Sequence, residues 1–202
     1  MRFIKHWKAV FASLTIVATI FLIWDAIFTA NGVWGFNPDY HLNILLFGMP
    51  IEEWMFFFCI PYASIFIHYS LAYFKPKLLL SVKTTRFITL FFMLILLPVI
   101  VLNSDKSYTF VNYSSLLFVL LMGFFYGIKY LQRFYISFLI ILVPFFIVNG
   151  VLTGTGLEEP VVWYNNTEIL GIRLSTIPIE DVGYAFTMIF GNVLLIERFK
   201  RN

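Results

Sequence analysis

Hydrophobic residues in this chain come in runs of about 20, nearly back to back and separated by short polar segments, and a helix needs a run of that length to cross the hydrocarbon core of a bilayer. Reading in windows of about 19 residues places spans at 9–29, 54–74, 87–102, 108–128, 134–152 and 177–196, the third being the shortest. The pattern predicts an all-α integral membrane protein of about six transmembrane helices, organised as a single domain over 1–202. No stretch is left from which a soluble domain of useful size could be cut.

Composition supports the same class: 60% of residues are hydrophobic, 12% are charged, and the mean hydropathy is +0.86. The net charge of +3 would suit a nucleic-acid binder, but the basic residues sit in short clusters between apolar runs, so no nucleic-acid partner is expected. Their arrangement reports topology instead. With six spans, one side collects Arg2, Lys5, Lys8, Lys75, Lys77, Lys83, Arg86, Lys129, Arg133, Arg198, Lys200 and Arg201, and the other only Lys106 and Arg173. By the positive-inside rule this predicts both termini in the cytoplasm, with the plasma membrane as the host bilayer. All the acids except Glu197 fall at the opposite ends of the helices. Arg2, Lys5 and Lys8 precede the first run as in a signal peptide, but the apolar stretch is too long and no small-x-small cleavage site follows, so it reads as a retained helix. The single Cys59, in an apolar run, predicts neither a disulfide framework nor a metal site and reads as a small core hydrophobe.

The chain also repeats itself. Residues 21–61 lie over 145–189, matching Thr29 with Thr153, Phe36-Asn37 with Tyr164-Asn165, and Pro50-Ile51-Glu52-Glu53 with Pro178-Ile179-Glu180-Asp181, with about four extra residues in the second loop. The first span then corresponds to the fifth and the second to the sixth, which predicts two parallel internal repeats, at about 9–74 and 134–196.

In each copy Pro falls in the expected first helical turn and two carboxylates follow, where the helix dipole favours acids. Taken alone, this is a well-built helix start at the membrane interface. The pair recurs in both halves, however, and acids that leave water inside a membrane are costly, which points to a shared polar pocket where adjacent carboxylates hold a proton available. Asp25 lies inside the first span opposite a polar counterpart, Asn149; it reads either as part of that pocket or as a helix-end residue bonded to a neighbour. His6, His41 and His68 show no metal-ligand spacing, and no metal is expected. Trp24, Trp34, Phe36, Tyr40, Trp54 and Phe56 gather near the first acidic site, and Trp163, Tyr164 and Tyr184 near the second. Such rings serve as interfacial belt and core, or they line a cavity in which a carbocation forms, because a ring face attracts positive charge.

These residues resemble the membrane lycopene cyclase domain family, known as heterodimeric bacterial, fused archaeal and fungal bifunctional enzymes. The resemblance covers almost the whole chain. It rests on Trp24-Asp25 with Phe28-Thr29, Gly32-Val33-Trp34-Gly35-Phe36-Asn37-Pro38, Pro50-Ile51-Glu52-Glu53-Trp54 with Pro61-Tyr62, and Pro178-Ile179-Glu180-Asp181. Fused members often carry a further hydrophobic helix ahead of the segment that matches the first span. Here Met1-Arg2-Phe3-Ile4-Lys5-His6-Trp7-Lys8 stands in that place, as in a shorter member or a chain whose start lies upstream.

The resemblance implies acid-catalysed, non-redox closure of the linear ends of lycopene to β-ionone rings, giving γ-carotene and β-carotene. It implies that Glu52, Glu53, Glu180 and Asp181 are needed. Glu52 and Glu180 are expected as acid and base, interchangeably, with Glu53 and Asp181 tuning them and Asp25 holding the pair. Trp24, Trp34, Phe36, Asn37, Trp54, Trp163, Tyr164 and Asn165 are expected to contact substrate. No Gly-rich dinucleotide fingerprint is present, and no cofactor is expected. The partners expected are lycopene and the bilayer, with homo-oligomerisation left open. Two rivals remain: a carotenoid hydratase on the same scaffold, in which water traps the cation, and a proton-coupled transporter, although no Gly- or Pro-broken mid-membrane helix pair is evident. A retinal protein would need a lysine deep in a late span, and a membrane prenyltransferase would need spaced aspartates for Mg²⁺; the sequence offers neither.

Overall fold

A computed structural model describes residues 6–200; Arg2, Lys5 and Arg201 of the charge split lie outside the described residues. Among the described residues six helices are long and apolar enough to span a membrane: α1 Trp7–Ala30, α2 Ile51–Phe74, α3 Val82–Leu102, α4 Ser107–Tyr126, α5 Ile128–Leu152 and α6 Glu180–Phe199. This is the all-α membrane architecture expected.

The helix ends differ from expectation for local reasons. The third helix begins at Val82, five residues before the predicted start, because Ser81 caps it by accepting from the Thr84 amide at 3.0 Å. Helices α4 and α5 are separated by Gly127 alone. The chain doubles back there, since Tyr108 at the start of α4 and Asn149 near the end of α5 both reach Asp181. A Cβ on Gly127 would meet the tip of the Leu194 side chain, so the reversal packs closely against α6. The sixth helix starts at Glu180 rather than 177, because Ile177–Pro178 (β6) pairs with Arg173–Leu174 (β5) in a hairpin. Pro178 therefore precedes the helix instead of lying in its first turn; Pro50 likewise sits extended at the N-cap of α2.

The connections at the acidic end carry the repeat. Leu45–Leu46 (β2) pairs with Met49–Pro50 (β3) as β5 pairs with β6. Trp34–Phe36 (β1) pairs antiparallel with Val162–Tyr164 (β4), with Trp34 opposite Tyr164 and Phe36 opposite Val162. The register is symmetric about Gly35 and Trp163. The Asn37 amide donates to the Val161 carbonyl at 2.9 Å, and the Asn165 amide donates to the Val33 carbonyl at 2.8 Å. Each asparagine then accepts from the amide two residues on, Asp39 or Thr167, at 3.1 Å. Two copies of one unit thus meet across a short ribbon, and the extra residues of the second copy fall between Thr153 and Val161.

Helix α6 occupies the middle of the bundle, with α1, α2, α4 and α5 around it. Phe134, Phe138, Phe186 and Phe190 form an aromatic core between α5 and α6. Between α1 and α6 the Ser13 hydroxyl donates to Asn192 Oδ1 at 2.8 Å, both residues being fully buried. Removing one partner strands the other in an apolar interior, so Ser13→Ala should destabilise the bundle by about 1 kcal/mol, read as a lower unfolding midpoint in detergent. Cys59 corrects expectation: it is exposed on α2 and in a bilayer faces lipid. His68 is packed in the bundle, buried and 2.6 Å from Ser137 Oγ through Nδ1.

Candidate active site

A cavity of about 180 Å³ lies at the acidic end, among α1, α2, α5 and α6, under the β1–β4 ribbon. Its polar groups are concentrated at that end: Asp25, Glu53, Asn149 and Asp181, with the phenols of Tyr108, Tyr164 and Tyr184. Further down the walls are apolar apart from Ser64.

The two acids of each Pro-Ile-Glu-acid motif go different ways. Each residue of a helix turns the side chain by about 100° from the one before, so only one of them points inward. The first acid turns back to its own loop: Glu52 Oε1 accepts from the Leu42 amide at 2.9 Å, and Glu180 Oε1 accepts from the Leu170 amide at 2.6 Å. Both reach ten residues upstream and fasten the hairpin to the helix start. Glu180 also accepts from Thr109 Oγ1 at 2.7 Å, tying α4 to α6. The second acid, Glu53 or Asp181, lines the cavity, whereas Glu52 and Glu180 do not.

The cavity acids are held very differently. Asp181 accepts from the Tyr108 hydroxyl at 2.6 Å, the Asn149 amide at 2.8 Å and the Tyr164 hydroxyl at 3.0 Å. Burial pushes the Tyr164 phenol well above its ordinary range, with the Asp181 charge adding to it, so it remains a hydrogen-bond donor. Asp25 accepts from the Trp34 indole N–H at 2.6 Å and from Thr29 at 3.3 Å, and its second oxygen is buried without a partner among the described residues. Glu53 feels the charge of Asp25, and among the described residues no donor reaches its carboxyl group. The Asp25–Glu53 and Asn149–Asp181 pairs occupy matching places in the two repeats.

Around them the rings form a cage. Tyr108 stacks on Tyr164 with centroids 5.8 Å apart, Trp34 meets Tyr108 edge to face at 5.1 Å, and Trp24 packs on Tyr184 at 5.0 Å. Of the expected contact residues, Trp34, Phe36 and Tyr164 line the cavity. Trp24 stands behind them against Tyr184 and Phe28. Asn37 and Asn165 are turn residues of the ribbon. Trp54 faces the hairpin, stacking on Phe47 and donating to the Leu46 carbonyl. Trp163 is 43% exposed and covers Gly35. A Cβ at Gly35 would collide with that indole, so Gly35→Ala should part the ribbon at about 1–3 kcal/mol. A lower unfolding midpoint with altered tryptophan fluorescence would report it.

Tyr108 and Asn149 belong to the site although sequence reasoning did not select them, and Tyr184, one of the rings expected near the second acids, lines the cavity with them. Asn149 carried a signal as the repeat counterpart of Asp25. Tyr108 stood at the acidic end of the fourth span, where an interfacial belt also places tyrosine.

No curated protein and no solved structure matches the chain. The family model described as lycopene cyclase matches residues 2–71 and 105–199, which is most of the chain and includes every cavity acid and both acid motifs. The chain belongs to the lycopene cyclase family.

Proposed function

We propose that the chain is a lycopene β-cyclase in which Glu53, paired with Asp25, delivers the proton and Asp181 removes one. The observation that carries this is the convergence of three carboxyl groups at the ring-walled end of an otherwise apolar cleft. A proton adds to the terminal double bond of lycopene, the tertiary cation is attacked by the neighbouring double bond, and a proton leaves to give the β ring. No electrons are gained or lost overall.

The proton donor must keep its proton in a dry place. Glu53, which no donor reaches among the described residues and which feels the charge of Asp25, is the carboxyl group suited to carry that proton. Asp181, held by three donors, is the preorganised carboxylate suited to receive the departing proton. The faces of Trp34, Tyr108, Tyr164 and Tyr184 stabilise the cation between them. On this reading Glu52 and Glu180 act through the loops they fasten, which exchanges the roles that the motifs alone suggested. The charge split favours a plasma-membrane protein with its basic end and termini in the cytoplasm.

Expression in a host that accumulates lycopene tests the reaction. γ-Carotene or β-carotene among the separated pigments is expected. Unchanged lycopene beside well-inserted protein would count against it, and a hydroxylated acyclic product would assign a hydratase instead.

A further inference from the structure

The cleft is built as a slot with one closed end. On α2 its lining runs from Glu53 to Ile67, about 21 Å at 1.5 Å per residue, and on α5 it runs from Leu152 down to Ile141. At the basic end α2 and α5 are clamped: His68 bonds Ser137 at 2.6 Å and packs on Phe134, and the Arg133 guanidinium and the Gln132 amide donate to the Pro76 and Leu80 carbonyls. Between that clamp and the acids the lining includes residues on the outside of the bundle. Ala63 and Pro144 are exposed and Val148 is 42% exposed. The inner wall is closed by Tyr184, Ala185, Met188 and Ile189 of α6.

We infer that the seam between α2 and α5, between the clamp and the acids, is a lateral portal from the lipid, through which one end of a linear polyene reaches the acids while its other end stays in the bilayer. The inference rests on the cyclase reading above and adds the route and the order of the reaction. An extended carotenoid is roughly as long as the hydrocarbon core is thick, about 30 Å, and exceeds the slot. With the floor clamped, the remainder of the chain leaves sideways past Ala63 and Val148. Those two residues lie along the opening, one on each helix, and each visit closes one ring, so the monocyclic product must be released and turned round before the second ring forms.

Thiol labelling tests this in purified protein carrying Cys59→Ala. Ala63→Cys and Val148→Cys are each compared before and after reaction with a bulky hydrophobic maleimide, with Met55→Cys, a 60% exposed position outside the lining, as control. Labelling at either portal position should lower lycopene conversion about tenfold or more relative to the same preparation unlabelled, the size of loss that displacing a substrate brings. Labelling at position 55 should change nothing. Fully labelled portal variants that keep their activity would overturn the portal. Added lycopene should also slow labelling at Ala63→Cys and Val148→Cys but not at Met55→Cys; this arm reads the portal without turnover and separates its failure from failure of the cyclase reading. With lycopene in excess, monocyclic product should accumulate first, and bicyclic product appearing without it would overturn one-end-at-a-time operation.

Discussion

Glu53→Gln should reduce ring formation by about 10²–10⁴-fold, the usual worth of a positioned acid or base, while the protein continues to insert and fold. The glutamine fits the same space in the cavity wall and removes only the transferable proton. Glu52→Gln, one residue away, should stay within about tenfold of wild type, because its side-chain carbonyl can still accept from the Leu42 amide and so keep the hairpin fastened. Pigment chromatography from equal amounts of inserted protein gives the comparison. The reverse order of severity would restore Glu52 as the acid and remove the mechanism proposed here.

Asp181→Asn should be as severe, about 10²-fold or more, for a different reason. Three donors converge on that carboxylate. The amide cannot accept them all, and one of the donors, Tyr108, has its hydroxyl fully enclosed by the aromatic cage. A loss of unfolding midpoint should therefore accompany the loss of activity, whereas Glu53→Gln, which has no such bonds, should leave the midpoint near wild type. Tyr108→Phe removes one donor and should cost activity without abolishing it. Glu180→Gln retains an acceptor for both the Leu170 amide and Thr109 and should be mild by comparison. Equal losses in all the acid variants would mean that the cavity acids and the loop acids are not separable.

The membrane class, the helix count and the repeat were legible because each is a pattern of many residues: six apolar runs and a motif that recurs with its loop. The hairpins at 45–50 and 173–178 were not. Their strands are two residues long, and their existence depends on positive-φ positions at Phe47, Gly48 and Ser175, which single residue identities do not announce. The start of α3 was missed because Lys83 and Arg86 lower its hydropathy, although Ser81 caps it ahead of them. Within each acid pair, spacing placed both carboxylates at the helix start, but which one faces the cavity is decided by the angle at which the hairpin delivers the chain, a tertiary matter. Asn37, Asn165 and Trp163 recur beside the acids because they build the ribbon over the cavity; motif proximity alone does not distinguish a wall from the brace behind it.

The central claim is that a carboxyl group in this cavity passes an exchangeable proton to the end of the polyene. Cyclisation of lycopene by the purified protein in D₂O, followed by mass spectrometry of the products, tests it most directly. One deuterium is expected for each ring formed, so that γ-carotene carries one and β-carotene two. Rings formed without deuterium would contradict it.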